Sequence, residues 1–430
     1  MAGRYKQYPE YRSSDIEWLG EIPTTWKLSR LKFMAKIKNG QDHKSVETDE
    51  GYPVIGSGGQ FTYASQFTYD QESVLLGRKG TIDRPLYINE PFWTVDTMYY
   101  TVISKDILPK YLYYLALTIQ FGRYSTNTAL PSMTQEHLGN YIFATPKDKS
   151  DQDTIANFLD HETAKIDTLI KKQQHLIQLL KEKRQAVISH AVTKGLNPNA
   201  KMRDSGVEWL GEVPEHWKVS KFGYVSMVVR GGSPRPAGDP ELFNGDYSPW
   251  VTVAEITKDG EVYLTETETF LTKKGSEQCR VFSSGTLLIS NSGATLGVPK
   301  ILSINANAND GVVGFENLKL DHEFSYFYLS TLTNDLRERI KQGSGQPNLN
   351  TDIVKNIAVP IPPKSEISEI VTLIRNTREQ YANLTTRATA GIELLQERRT
   401  ALISAAVTGK IDIRNWVAPK ESQTNKEVAA

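Results

Sequence analysis

Apolar and small residues recur at alternating spacings of three and four through two long stretches that contain no proline. In the first, Ser150 to Thr193, they fall at Ile155, Leu159, Ile166, Leu169, Ile170, Leu176, Ile177, Leu180, Val187 and Ile188. In the second, Ser365 to Thr408, they fall at Ile367, Ile370, Ile374, Thr377, Tyr381, Leu384, Ala388, Ile392, Leu395 and Leu402. That alternation lays a stripe along one side of a helix, so each stretch is predicted to be one long helix whose stripe forms a coiled-coil seam. A bend near His161 fits the first. Ser150 with Asp153, and Ser365 with Glu366 and Glu369, offer acceptors and negative charge to unpaired N-terminal amides, and Gly195 and Gly409 supply the stops. The last turns agree over much of their length, KEKRQAVISHAVTKG (Lys181 to Gly195) against QERRTALISAAVTGK (Gln396 to Lys410), which marks an internal duplication.

The duplication extends to the start of each half. Asp15 to Lys27 reads DIEWLGEIPTTWK and Gly206 to Lys218 reads GVEWLGEVPEHWK. Large aromatics mostly bury area, so these tryptophan-rich clasps are expected to pack the start of each half against the long helices. Between clasp and helix the texture changes to short β-type runs broken by glycines: YPVIG, SVLLG and TMYYTVI in the first half, SPWVTV, GEVYL and GTLLIS in the second. Helical patterns cover Lys110 to Gln120 and Glu323 to Lys341. The fold class is therefore α+β, with two β-rich domains, each followed by a long helix. The expected boundaries are 1–149 for the first domain with its clasp, 150–195 for its helix, 196–364 for the linker, second clasp and second domain, 365–410 for the second helix, and 411–430 for a charged, disordered tail. Pro198 in the linker GLNPNAKMRDS prevents continuation of the first helix.

Composition narrows the class without choosing it. A chain of 430 residues with 39% hydrophobic content can form two or three cores. No apolar run approaches the ~20 residues of a membrane span, and Met1 to Arg12 lacks a signal-peptide core, so a cytoplasmic location is expected. The single cysteine, Cys279, excludes an internal disulfide. Lys plus Arg and Asp plus Glu are both 50, so no overall positive field gathers nucleic acid. Local clustering matters more. The run Lys27, Arg30, Lys32, Lys36, Lys38, Lys44 meets only Asp42 before Glu47, and either lines phosphates or forms a solvated face.

Catalytic patterns are missing. The only double proline, Pro362 and Pro363, sits between Ile361 and Lys364 and cannot form the loop that grips a flipped base for amino-methylation. IGSGG at Ile55 to Gly59 lacks the acidic partner of a dinucleotide loop, GRKGT at Gly77 to Thr81 lacks the spacing of a P-loop, and Lys165 stands where a second zinc histidine after His161 would be needed. Such a chain positions other molecules rather than transforming them. Its glycine-punctuated loops carry side chains suited to base edges: Ser57, Gln60, Arg78, Lys79, Thr81, Asn127 and Gln135 in the first domain, and Arg230, Ser233, Arg235, Asn291, Ser292, Gln342, Gln346, Asn348 and Asn350 in the second. Arg and Lys grip guanine O6 and N7, and Asn and Gln pair with adenine N6 and N7. The alternative for each is a turn-stabilising or solvated polar residue.

The twin EWLGE-P-W clasps (Glu17 to Trp26, Glu208 to Trp217), the loops GRKGT and SNSGATLG (Ser290 to Gly297), the approach PIPPKSE (Pro360 to Glu366) and the helix end RRTALISAAVTG (Arg398 to Gly409) together resemble the DNA specificity subunit of type I restriction-modification systems. The approach to the first helix, ATPKDKSDQ (Ala144 to Gln152), is less typical of that family. The resemblance implies two target recognition domains held by an antiparallel helix pair with a pseudo-twofold axis, each reading one half of a two-part site on double-stranded DNA. It also implies a non-catalytic chain that binds no cofactor or metal. The partners implied are two methyltransferase subunits, carrying S-adenosylmethionine and methylating adenine, and two ATP-dependent restriction and translocase subunits using ATP and Mg.

If the helices set the distance between half-sites, each of about 40 residues spans on the order of 60 Å at ~1.5 Å per residue. Deleting one matched heptad from both keeps the seam while removing roughly 10 Å, or about 3 base pairs, and turning one half-site by about 100° around the duplex. The expected result is loss of binding or a spacer shorter by about 3 pairs. Methylation-site mapping checks it, and a folded double deletion that keeps the original spacer at full efficiency would refute the ruler.

Overall fold

The structure, a computed structural model, describes residues 5–123, 131–293, 295–340 and 348–419. The two predicted long helices run Lys149–Lys194 and Lys364–Val407, and the first passes His161 as one unbroken helix. The helical pattern at 110–120 is a shorter helix, Pro109–Ala116, and that at 323–341 is two, His322–Thr331 and Thr333–Ile340. None among the described residues is long and apolar enough to cross a membrane.

Compact units do not follow the repeat. One unit joins residues 1–174 with 389–430, and the other is 175–388. Each thus contains one β-rich domain, the first part of the helix that follows it and the last part of the other helix. In the first unit Ile155, Phe158, Leu159 and Ile166 share a core with Leu402, Ile403, Ala406 and Val407. Arg399 Nε donates to Asp167 Oδ1 at 2.9 Å, while the Trp416 ring meets that of Phe158 edge to face, so the two helix segments run antiparallel. In the second unit Ile367, Ile370 and Ile374 share a core with Ile188, Ala191 and Val192.

The seam differs from the expected stripe at Leu169, Leu176 and Leu384, which are 48%, 42% and 39% exposed. Successive residues on a helix are about 100° apart, so Leu169 and Ile170, or Leu176 and Ile177, cannot both face the same partner. Ile170 and Ile177 are half-buried and the leucines are exposed. The expectation of a disordered tail from 411 also fails for its first residues. Ile411 and Ile413 are buried, Arg414 pairs with Asp412, and the Trp416 ring lies 5.6 Å from Phe158 and 5.5 Å from His161. Residues 420–430 lie outside the described residues.

The clasps pack as expected, onto helix ends. Trp26 and Trp217 are 2% and 1% exposed. In the first unit a side chain at Gly409, where φ is +73°, would meet Pro23 at 2.5 Å; Tyr11 Oη donates to the Gly409 carbonyl, and Lys410 Nζ to the carbonyls of Leu19 and Glu21. In the second, a side chain at Gly195 would meet Trp217 at 3.1 Å, and Trp217 Nε1 donates to Glu366 Oε2 at 2.9 Å. Glycine ends each helix because the left-handed turn leaves room for nothing larger.

The β domains repeat one plan. In the first, a sheet orders Ala35–Asn39, Met98–Ile103, Ser73–Gly77 and Leu86–Ile88; in the second, Met227–Arg230, Val312–Glu316, Leu287–Ser290 and Pro299–Leu302 follow the same order, extended by Tyr263–Leu264. A second four-stranded sheet completes each domain, and the strand after each clasp pairs with the strand leading to the long helix, Trp26–Arg30 with Ile142–Pro146 and Lys218–Lys221 with Ala358–Ile361. YPVIG and SVLLG are strands over their full length, while GEVYL contributes only Tyr263–Leu264.

Each domain is tied to its long helix by an ion pair at the same place with opposite signs. Lys110, second residue of Pro109–Ala116, pairs with Asp160, which also accepts from Tyr114 Oη at 2.7 Å. Glu323, second residue of His322–Thr331, accepts two hydrogen bonds of 2.7 Å from Arg375 and a further one from Tyr263. Burial pushes the Glu323 carboxyl up, but the bonds from Arg375 and Tyr263 and the Arg375 charge outweigh it and hold it below the ordinary range. A domain seated on the other repeat's helix would put Lys110 against Arg375 or Glu323 against Asp160, both repulsive. Glu323→Lys is expected to cost on the order of 2 kcal/mol and Lys110→Glu, at a more exposed pair, about 1 kcal/mol or less. Adding Arg375→Asp or Asp160→Arg should recover most of each loss in thermal melting, and additive losses without recovery would show that the pairs do not act as pairs.

Candidate nucleic-acid interface

The base-reading candidates of the first domain sit on one frame of loops. Gly40 N donates to the Met98 carbonyl and Gln41 N to the Thr94 carbonyl, which draws the chain so close that a Cβ on Gly40 would lie 2.1 Å from the Val95 oxygen. Beside this turn Arg78 N and Lys79 N both donate to the Thr97 carbonyl, and Ser57 N donates to Thr97 Oγ1 at 3.3 Å. Gly80, at φ +82°, donates to the Pro131 carbonyl, Met133 N donates to the Arg78 carbonyl, and Lys79 bridges Ser132. Thr134 then caps the helix Gln135–Asn140, whose first residue, Gln135, donates to Asn39 Oδ1 at 3.1 Å.

The second domain repeats four of the main-chain bonds, the bridge and the helix cap with other side chains. Gly231 N donates to the Val312 carbonyl and Gly232 N to that of Ala308; a Cβ on Gly231 would lie 2.3 Å from the Asn309 oxygen. Asn291 N donates to the Gly311 carbonyl, Leu349 N donates to the Asn291 carbonyl, and Ser292 bridges Asn348. Gly293 has φ +78°, and Asn350 caps Thr351–Asn356 by accepting from Ile353 N at 2.8 Å. Residue for residue, Asn39, Arg78, Lys79, Gly80, Asp96, Ser132 and Thr134 stand where Arg230, Asn291, Ser292, Gly293, Asp310, Asn348 and Asn350 stand.

This sorts the candidates. Lys79 and Gln60 are exposed, Arg78, Ser57 and Thr81 half-buried, and Gln135 exposed at the rim. Arg78 Nη1 donates to the Asp96 carbonyl at 3.2 Å and the guanidinium lies 5.9 Å from the Tyr99 ring, which holds the side chain at the loop. In the second domain Arg230 and Arg235 are exposed, Arg230 Nε donating to the Asp310 carbonyl, and Asn348 is exposed beside Ser292. Ser233 donates to Asp310 Oδ1 at 2.7 Å, and that bond holds the Asp310 carboxyl below its ordinary range. One expectation is corrected: Asn291 is fully buried with its amide on the Asp310 carbonyl, so it builds the loop instead of projecting from it. Asn350 is exposed and caps its helix through Oδ1. Asn127, Gln342 and Gln346 lie outside the described residues.

The basic run does not form one patch by strand position. Lys36 and Lys38 are exposed on one face of the strand that ends at Asn39, whereas Lys27 and Arg30 are exposed on the strand paired with Ile142–Pro146. Lys32 donates to Asn140 Oδ1. Asp96 and Asp310 stand at equivalent places in the two loop frames, 16 residues after Gly80 and 17 after Gly293. Among the described residues no group of His, Cys, Asp or Glu could hold a metal ion.

A frame of glycine turns kept twice, with different side chains mounted on it, defines a tandem recognition protein. The type I restriction modification DNA specificity domain matches residues 23–179 and 214–394, and the chain belongs to that family. It is 22% identical to the type I restriction enzyme EcoDI specificity subunit of Escherichia coli over 82% of this chain and 81% of that protein. It is 26% identical to the MjaIX specificity subunit of Methanocaldococcus jannaschii, a match spanning only 38% of either chain. Two solved structures share the fold: a chain from work on complex assembly and conformational transition of the type I R-M system (TM-score 0.68, 15% identity, 90% of this chain, 98% of that one), and the HsdS subunit from Thermoanaerobacter tengcongensis (TM-score 0.53, 14% identity, 93% and 100%).

Because the loops of each domain are built within that domain, substitutions are expected to act on one half of a recognised sequence. Arg78→Ala with Lys79→Ala should relax one half-site by about 1 to 3 kcal/mol per lost bidentate contact, and Arg230→Ala with Arg235→Ala the other. Selection from a randomised duplex library reads this out, and degradation of both halves after either double change would contradict it.

Proposed function

We propose that this chain is the non-catalytic specificity subunit of a type I restriction-modification complex and that each β-rich domain reads one half of a bipartite site on double-stranded DNA. The observation that carries this is a loop frame in which four main-chain bonds, from Gly40, Gln41, Arg78 and Met133 in one domain and from Gly231, Gly232, Asn291 and Leu349 in the other, recur while the outward side chains differ. A constant frame suits a uniform phosphate backbone, and variable side chains suit two different base sequences. The chain in this reading scaffolds two methyltransferase subunits, which carry S-adenosylmethionine and methylate adenine, and two restriction and translocase subunits, which use ATP and Mg. A repeated chain offers nearly the same surface twice, so two identical partners can bind one polypeptide. Supporting this are leucines on the long helices that face solvent: Leu169 and Leu394 in the first unit, 48% and 65% exposed, and Leu176, Leu179 and Leu373 in the second. Such apolar positions on a helix suit a partner helix.

The complex with its methyltransferase partner is expected to bind duplex DNA with an affinity that falls steeply with salt, because exposed cations such as Lys36 and Lys38 would displace counterions from phosphates. Each phosphate contact adds about −0.9 to the slope of log K against log salt. Titrations from dilute to physiological buffer measure it, and a flat line would sink the proposal.

A further inference from the structure

We infer that Asp96 and Arg78 together read a G·C pair in the half-site taken by the first domain. This rests on the DNA-reading function proposed above. The Asp96 backbone is pinned on every side: Val95 N donates to the Ile55 carbonyl, Met98 N to that of Val95, and the next residue, Thr97, receives Arg78 N, Lys79 N and, at its hydroxyl, Ser57 N. The Asp96 carbonyl accepts from Arg78 Nη1. Its carboxylate, by contrast, is exposed and has no hydrogen-bond or ion-pair partner among the described residues.

A free carboxylate carried on a backbone fastened beside Arg78, Lys79 and a glycine turn is out of place on a surface that meets phosphates, unless it meets a donor there. In the major groove the donors are cytosine N4 and adenine N6. The neighbouring guanidinium selects between them, since its fork matches guanine O6 and N7, and guanine shares its pair with cytosine. Acceptor and fork side by side therefore present the complement of one G·C edge, or of a C beside a G. The equivalent position in the second domain does not do this. The Asp310 carboxylate is engaged by Ser233, and the residue standing for Arg78 is the buried Asn291.

The test uses the full chain with its methyltransferase partner and a randomised duplex library. The wild type should enrich a G·C pair in one half-site. Asp96→Asn, of the same shape, should lose discrimination at that pair by roughly 5- to 150-fold while every position of the other half-site is unchanged. Arg78→Ala should act on the same or the adjacent pair, and Asp96→Glu, which keeps the carboxylate, should retain part of the preference. If the wild type selects a sequence and Asp96→Asn selects it with undiminished preference, the inference is overturned while the proposed function stands. If the wild type selects no sequence, both fall. Loss of all binding by both Asp96 variants with an altered circular dichroism spectrum would assign Asp96 a structural role and also overturn the inference.

Discussion

The constraint on which the rest depends is the seating of each tryptophan clasp on the end of the preceding repeat's long helix, taken around the duplication. Trp26 and Pro23 close over Gly409, and Trp217 and Pro214 over Gly195. Burying one tryptophan removes some 150 to 250 Å² from water and contributes on the order of 5 kcal/mol. The consequence is that neither repeat is a folding unit. The first unit is completed by residues 389–430, which belong by sequence to the second repeat. A cut between the repeats would expose Trp26 in one fragment and leave the antiparallel helix segments of both without partners.

That interlocking lets the loops diverge. The backbone bonds that shape the candidate interface run between main-chain atoms at Gly40, Thr97 and Met133, or at Gly231, Gly311 and Leu349, and ask nothing of the outward side chains. The close approaches at Gly40 and Gly231 leave no space for a Cβ, so the frame is held by absence of side chains while recognition is left to their presence. The reversed pairs Lys110–Asp160 and Glu323–Arg375 add an address, because a duplicated chain has two similar helices and must not confuse them.

Two long helices, the β-rich texture, the clasps and the duplication were legible from residue order, because periodicity, capping residues and glycine stops act over a few neighbours. The family resemblance came from the same local motifs. Of the sixteen loop residues chosen for their chemistry, the order of residues could not separate Arg78 and Lys79, which stand at the loop, from Asn291, which is consumed in building it. Asparagine has the same donors and acceptors in either role, and only the geometry of Gly311 and Asp310 decides which it plays.

Local pattern therefore determined which elements form, while the folded chain decided how they are shared. That Ile170 faces inward and Leu169 outward depends on the partner helix and the domain packed beside it, since a helix presents both to some direction. The packing of Ile411, Ile413 and Trp416 into the core of the first unit was hidden because the residues they meet, such as Phe158 and His161 at Trp416, lie far away in sequence. Asp96 became a candidate only when its backbone was seen fastened beside Arg78 with its carboxylate left over, a juxtaposition that long-range hydrogen bonds create and that residue order does not carry.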